Sequence, residues 1–210
     1  MTTQTLLYDK EECPFCWRVR MALHHCKVEY QRLAYDEFED EWGPLTPSGT
    51  VPVLKTGEMV LHDSSVMLEY LDERYGGLWP TSPEQRAEAR GIAIYADSAV
   101  GRPVRDLVFQ RRDKPPAEWD EEVIANAMGA WHQAMPYLEE RLAKRSYFVS
   151  DGGITDFILA TRFGLAMAYD MPSPRSPGLM AWFDRITESA EFTETAPKIV
   201  MDKLGRGWLR

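Results

Sequence analysis

Along the N-terminal part of the chain, short apolar runs alternate with segments of helical spacing. Leu6, Leu7 and Tyr8 form a brief apolar run of the kind a buried strand makes. The charged stretch 9–12 breaks it, and Pro14 then stands where the first turn of a helix tolerates proline. Phe15, Val19, Leu23 and Cys26 recur at helical spacing, which predicts a helix ending near His25. Val28, Tyr30 and Leu33 predict a second strand within 28–35, and 42–49, dense in Gly and Pro, reads as loop. Two more strands are predicted at 51–55 and 59–62, separated by a turn at Thr56 and Gly57. Asp63, Ser64 and Ser65 offer cap side chains to a helix in which Val66, Met67, Tyr70, Leu71 and Arg74 follow at helical spacing, and Gly76 and Gly77 stop it. The order is β-α-β, then β-β-α. A helical crossover joins parallel strands and a tight turn joins antiparallel ones, so the expected sheet is mixed and four-stranded.

After that point the strand signals fade. Residues 78–83 read as a linker, and 83–112, 119–145 and 154–169 as helices. Pro103 and Pro136 are expected to kink or divide two of them. The predicted organisation is an α/β domain over 1–77 and an all-α domain over 84–210.

Composition adds limits to this picture. Hydrophobic residues are 44% and charged residues 27%, an ordinary globular mix. The formal net charge of -9 disfavours nucleic acid and anionic membrane surfaces as general partners. No apolar run approaches the roughly 18 residues of a membrane span, and the first residues carry neither the basic start nor the apolar core of a secretory signal. The expectation is a soluble, cytoplasmic protein. Three cysteines, Cys13, Cys16 and Cys26, are too few for a secreted disulfide framework.

Cys13, Pro14, Phe15 and Cys16 lie between a strand and the first turn of a helix. Unpaired N–H groups and the positive end of the helix stabilise an anion there, so a thiol ionises more readily than its usual value near ~8.5 allows. Cys13 is the candidate nucleophile, and Cys16, one turn on, can close a disulfide with it. Lys10 would favour the thiolate, and Glu11 and Glu12 would oppose it unless turned away. A C-x-x-C pair is also half of a zinc site, with His24, His25 and Cys26 as conceivable partners. The second close pair or the H-x(3–5)-H of structural zinc is missing, so no metal is assigned. The pair can also be inert core. Asp63 and Ser64 at a helix start can simply cap it, or can hold a substrate carboxylate with Asp63 facing an ammonium.

Taken together and in this order, Tyr8, Lys10, Cys13, Pro14, Phe15 and Cys16, then Gly49, Val51, Pro52 and Leu54, then Asp63, Ser64, Tyr70 and Leu71 resemble the cytosolic glutathione transferase superfamily. The similarity is to its cysteine-type members, the omega class and the two-domain glutaredoxins. It extends through Trp79 to Arg86, like the family's interdomain linker, and 147–156, like the opening of its buried helix. The resemblance implies a thioredoxin-like first domain and glutathione as co-substrate. It further implies that Cys13 faces the glutathione sulfur, with Pro14 and Phe15 forming the adjacent wall. By the same likeness Val51 bonds the cysteinyl backbone through its main chain, Pro52 is cis, Asp63 and Ser64 hold the γ-glutamyl end, and Asp156 caps the buried helix. A homodimer is expected on the same ground. Gly153 departs from the family's usual Ser/Thr cap. No residue matches the family's contact for the glycyl carboxylate.

Three functions follow. The first is a glutathione-dependent thiol–disulfide oxidoreductase acting on glutathionylated substrates and on dehydroascorbate. The second is an S-transferase conjugating glutathione to small electrophiles, and the third a non-catalytic protein that retains the fold. The intact Cys13 and Pro14 favour the first.

Overall fold

The computed structural model describes residues 4–149 and 152–208, and the chain divides into two compact units, one up to Trp79 and one from Pro80 onward. In the first unit strand β1 (Thr5–Asp9) leads through helix α1 (Pro14–His25) to β2 (Gln31–Ala34), which pairs with β1 in parallel. A short helix α2 (Glu39–Trp42) and a loop precede β3 (Val53–Thr56) and β4 (Met59–His62), and helix α3 (Ser64–Tyr75) closes the unit. The sheet order is β2-β1-β3-β4, with β3 antiparallel to both of its neighbours. Gly57, at φ 59°, turns β3 into β4 in a conformation that favours glycine.

The alternation of the central strand assigns its faces. Leu7 pairs with Leu54, and both are buried with Trp17, Val19, Met21 and Leu23 of α1 and Met67, Leu68 and Leu71 of α3. Tyr8 pairs with Leu33 and Val53, and these pack with Trp42 into a smaller cluster. The Trp42 indole N–H donates to the Tyr35 carbonyl at 2.6 Å, which ties the otherwise acidic α2 to the sheet. Two strands begin later than the pattern suggests. The Val28 N–H donates to the Leu23 carbonyl and Lys27 sits at φ 54°, so the helix exit occupies the residues before β2. Before β3, Pro52 follows a cis bond and has no N–H to give.

In the second unit, Ser82 caps α4 (Pro83–Tyr95) by accepting from the Gln85 N–H at 3.1 Å. A π-helical stretch, Ala96–Val100, joins α4 to α5 (Gly101–Asp113), so Pro103 lies just past the point where the hydrogen-bond ladder changes. Helix α6 (Glu121–Leu142) runs through Pro136 undivided, so of the kink or division expected there the division does not occur. Trp131, Ala134, Met135 and Leu138 are buried around the proline, and that packing outweighs its cost of about 3 kcal/mol. The Tyr95 hydroxyl also donates to the nearby Ala134 carbonyl at 3.2 Å. Helix α7 (Ile154–Ala168) is buried along its length. Three further helices, α8 (Pro177–Thr187), α9 (Ala190–Thr193) and α10 (Lys198–Leu204), follow in the part read as all-α but without individual helices assigned from the sequence. No helix among the described residues is long and apolar enough to cross a membrane.

Candidate active site

Cys13 is the N-cap of α1, half-buried, with extended backbone (φ -82°, ψ 117°). Its N–H donates to the Lys10 carbonyl at 3.1 Å and its carbonyl accepts from the Trp17 N–H at 2.8 Å. The turn 10–13 therefore delivers the thiol to the helix start. Pro14 fills the first helical position, and no acidic residue lies in the first turn to oppose a negative charge. The neighbouring charges are engaged elsewhere. Glu11 is paired with Arg32 at 2.7 Å, and the Lys10 ammonium stands 5.0 Å from the centre of the Tyr35 ring.

Cys16 is fully buried one turn on, and the Lys10 N–H points at its sulfur at 3.5 Å. Burial pushes its thiol well above the ordinary value, and a hydrogen bond to Cys13, the Cys13 charge and the Asp9 charge act in the same direction. Cys16 thus holds its proton in the turn beside Cys13. All three cysteines are free thiols. Cys26 is raised to about 11, first by burial and then by Asp72.

Beneath the turn lies a buried charge cluster with no signal in the hydrophobic pattern. The Arg20 guanidinium donates to both oxygens of Asp9 at 2.8 Å and to the Glu11 carbonyl at 2.9 Å. Arg32 reaches the same carboxylate at 2.5 Å. Arg20 and Asp9 are each about 1% exposed, so the pair ties the end of β1 to α1 directly under the cysteine turn.

The other candidates lie in the same unit. Val51 and Pro52 are joined by a cis bond and follow a chain of hydroxyls from Thr46 through Ser48 to Thr50. Asp63 is exposed, at φ 72°, and its carboxylate accepts from the Ser65 N–H at 2.7 Å, so it caps α3. Ser64 is buried, and its hydroxyl accepts from Arg18 Nη2 at 2.6 Å and Nε at 3.1 Å. Arg18, a buried cation in the middle of α1, was not singled out by sequence reasoning. Its signal was an arginine which, with Arg20, interrupts the apolar stretch 15–23.

Tyr8 belongs to the small cluster under α2. Its hydroxyl bonds Glu41 at 3.2 Å and is raised by burial and then by Glu41. Asp156 accepts from the Phe148 N–H at 3.1 Å and the Trp182 indole at 2.7 Å, a core position in the second unit. Among the described residues no three His, Cys, Asp or Glu side chains group closely enough to hold a metal ion.

Residues 12–74 match the family model described as glutathione S-transferase, N-terminal domain. The chain is 28% identical over 185 residues to the glutathione S-transferase GstB of Escherichia coli, covering 81% of this chain and 87% of that one. It is 25% identical over 214 residues to maleylacetoacetate isomerase of Dictyostelium discoideum, covering 93% and 94%. Its fold superimposes with a TM-score of 0.81 on the glutathione-bound theta class glutathione S-transferase of Xanthomonas axonopodis pv. citri. The two are 22% identical, and the superposition covers 92% of this chain and 97% of that one.

Proposed function

We propose that the chain is a member of the glutathione S-transferase family, to which its matches point, and within it a glutathione-dependent thiol–disulfide oxidoreductase of the cysteine type. The observation that carries this reading is the half-buried Cys13 thiol at the N-cap of α1, ahead of Pro14 and with no acidic residue in the first turn. In a substrate R–S–S–G, the Cys13 thiolate attacks the glutathione sulfur. The new Cys13–glutathione disulfide forms as the R–S bond breaks, and R–S⁻ leaves and takes a proton from water. A second glutathione thiolate then attacks the mixed disulfide, giving oxidised glutathione and restoring the Cys13 thiolate. A thiol that keeps its proton is a poor nucleophile. Cys16, buried and raised, therefore favours this monothiol route over an intramolecular disulfide.

In this reading Pro14 and Phe15 flank the glutathione sulfur, Val51 bonds the cysteinyl backbone through its main chain beside Pro52, and Asp63 and Ser64 hold the γ-glutamyl end. Phe15, 39% exposed, is available as such a wall. The proposal includes a homodimer and a cytoplasmic setting, where free thiols stay reduced.

The relatives' names favour a second reading, in which glutathione itself is the thiolate and adds to a small electrophile. Parallel assays with a glutathionylated peptide and with an aromatic electrophile separate the two. The first reading expects turnover of the disulfide and little conjugation. Conjugation alone would replace it with the second.

A further inference from the structure

We infer that Arg18 is the positioning residue of the γ-glutamyl carboxylate anchor, and that Ser65 belongs to the same anchor. The inference rests on the glutathione reading above and extends it to residues that reading does not use. Arg18 leaves α1 five residues after Cys13 and is about 2% exposed. Its guanidinium donates to the Ser64 hydroxyl through Nε at 3.1 Å and Nη2 at 2.6 Å, and to the Ser65 hydroxyl through Nη2 at 3.2 Å. The same group stands 4.9 Å from the centre of the Phe15 ring. One side chain thus touches the aromatic next to the cysteine turn and both serines that open α3.

The chemistry follows from what a hydroxyl can do. A serine oxygen has two lone pairs and one proton. Ser64 accepts from two guanidinium N–H groups, so its lone pairs are committed and its own O–H must be given elsewhere. Ser65 accepts one, which orients a hydroxyl on an exposed residue. A positive charge behind a hydroxyl makes that hydroxyl a stronger donor. Two oriented donors at the positive end of a helix suit a carboxylate. Asp63 is the cap of that helix and leaves the serine hydroxyls uncommitted to capping, because its carboxylate takes the Ser65 N–H. Arg18 acts on the carboxylate through the serines, and its planar fork cannot be copied by lysine.

The test compares two peptides by calorimetric titration. One is glutathione, and the other has a 4-aminobutyryl group in place of γ-glutamyl, so that only the α-carboxylate is missing. Wild-type protein is expected to prefer glutathione about tenfold or more, the scale of one charge-assisted bond. Arg18→Gln is expected to bring that preference below about threefold, with the binding of the decarboxylated peptide little changed. A purely structural role would weaken both peptides alike and leave their ratio intact, and that result overturns the inference. Should Arg18→Gln fail to fold by circular dichroism, Arg18→Lys carries the same comparison, and an unchanged preference there overturns it too. Wild-type protein that binds neither peptide overturns the glutathione reading itself. A discriminating wild type beside an equally discriminating variant overturns only the role of Arg18.

Discussion

Asp156 is ionisable, nine-tenths or more buried, and holds the core of the second unit together through one oxygen. Oδ1 accepts from the Phe148 N–H and the Trp182 indole, while Oδ2 is buried without a hydrogen-bond partner. Burial raises its pKa from the ordinary 3.8 to about 6, against the opposing pull of those two donors. The sign is fixed by the direction of the shift. Below about pH 4 the carboxyl is protonated whether the protein is folded or unfolded. Between about 4 and 6 the unfolded chain ionises while the folded one keeps its proton, so stability falls as pH rises. Above about 6 the full penalty is present. The gap between 3.8 and about 6 corresponds to about 3 kcal/mol. The indole N–H of Trp182, 2.7 Å from the titrating carboxyl, is a local probe. Its proton resonance in wild-type protein is expected to titrate with a midpoint near 6 and not in Asp156→Asn. Urea unfolding followed by tryptophan fluorescence gives the energetic counterpart. The stability of Asp156→Asn relative to wild type is expected to improve by about 2.5 kcal/mol from pH 4 to pH 7. A relative stability flat across that range, or an indole resonance that titrates near 4, would refute the reasoning.

Other outcomes follow from the first unit. Arg20→Met leaves the buried Asp9 carboxylate without its principal partner and is expected to cost about 3–5 kcal/mol, read as a lowered urea midpoint; a loss under about 1 kcal/mol would contradict a buried ion pair. Asp63→Asn keeps a good cap for α3 but removes the charge, so glutathione affinity is expected to drop about tenfold by calorimetry with the melting temperature unchanged. Equal affinity would mean that Asp63 only caps the helix. Cys26, raised from 9.0 to about 11, is expected to alkylate about a hundredfold more slowly at pH 8 than an ordinary thiol; mass spectrometry of a timed iodoacetamide reaction checks this, and labelling at the ordinary rate would contradict it.

Much of this fold is local and was readable from the pattern. The strand–helix–strand start, the turn at Gly57, the cap at Asp63 and the stop at Gly76 each depend on residues within a few positions of one another. So does the cysteine turn, where Pro14 fixes the helix start next to Cys13. What could not be read depends on partners far apart in sequence. Arg18 meets Ser64 across 46 residues, and Arg20 meets Asp9 across 11, so charges that would ordinarily mark a solvated face are instead buried. That Pro136 does not divide α6 has a related cause, since helix propensity loses to packing on a long buried face. Helix α8 carries a local signal, Ser176 accepting from the Leu179 N–H and Pro177 at the first position. The acidic α2 has too few apolar positions for a period to show, and only Trp42 anchors it.

The central claim is that the Cys13 thiolate performs the exchange and that Cys16 is dispensable for it. The most direct measurement is the rate at which wild-type protein, Cys13→Ser and Cys16→Ser reduce a glutathionylated peptide with glutathione as reductant. The account expects Cys13→Ser to fall to the uncatalysed rate and Cys16→Ser to retain turnover. A Cys13→Ser protein that still reduces the peptide at the wild-type rate would contradict it.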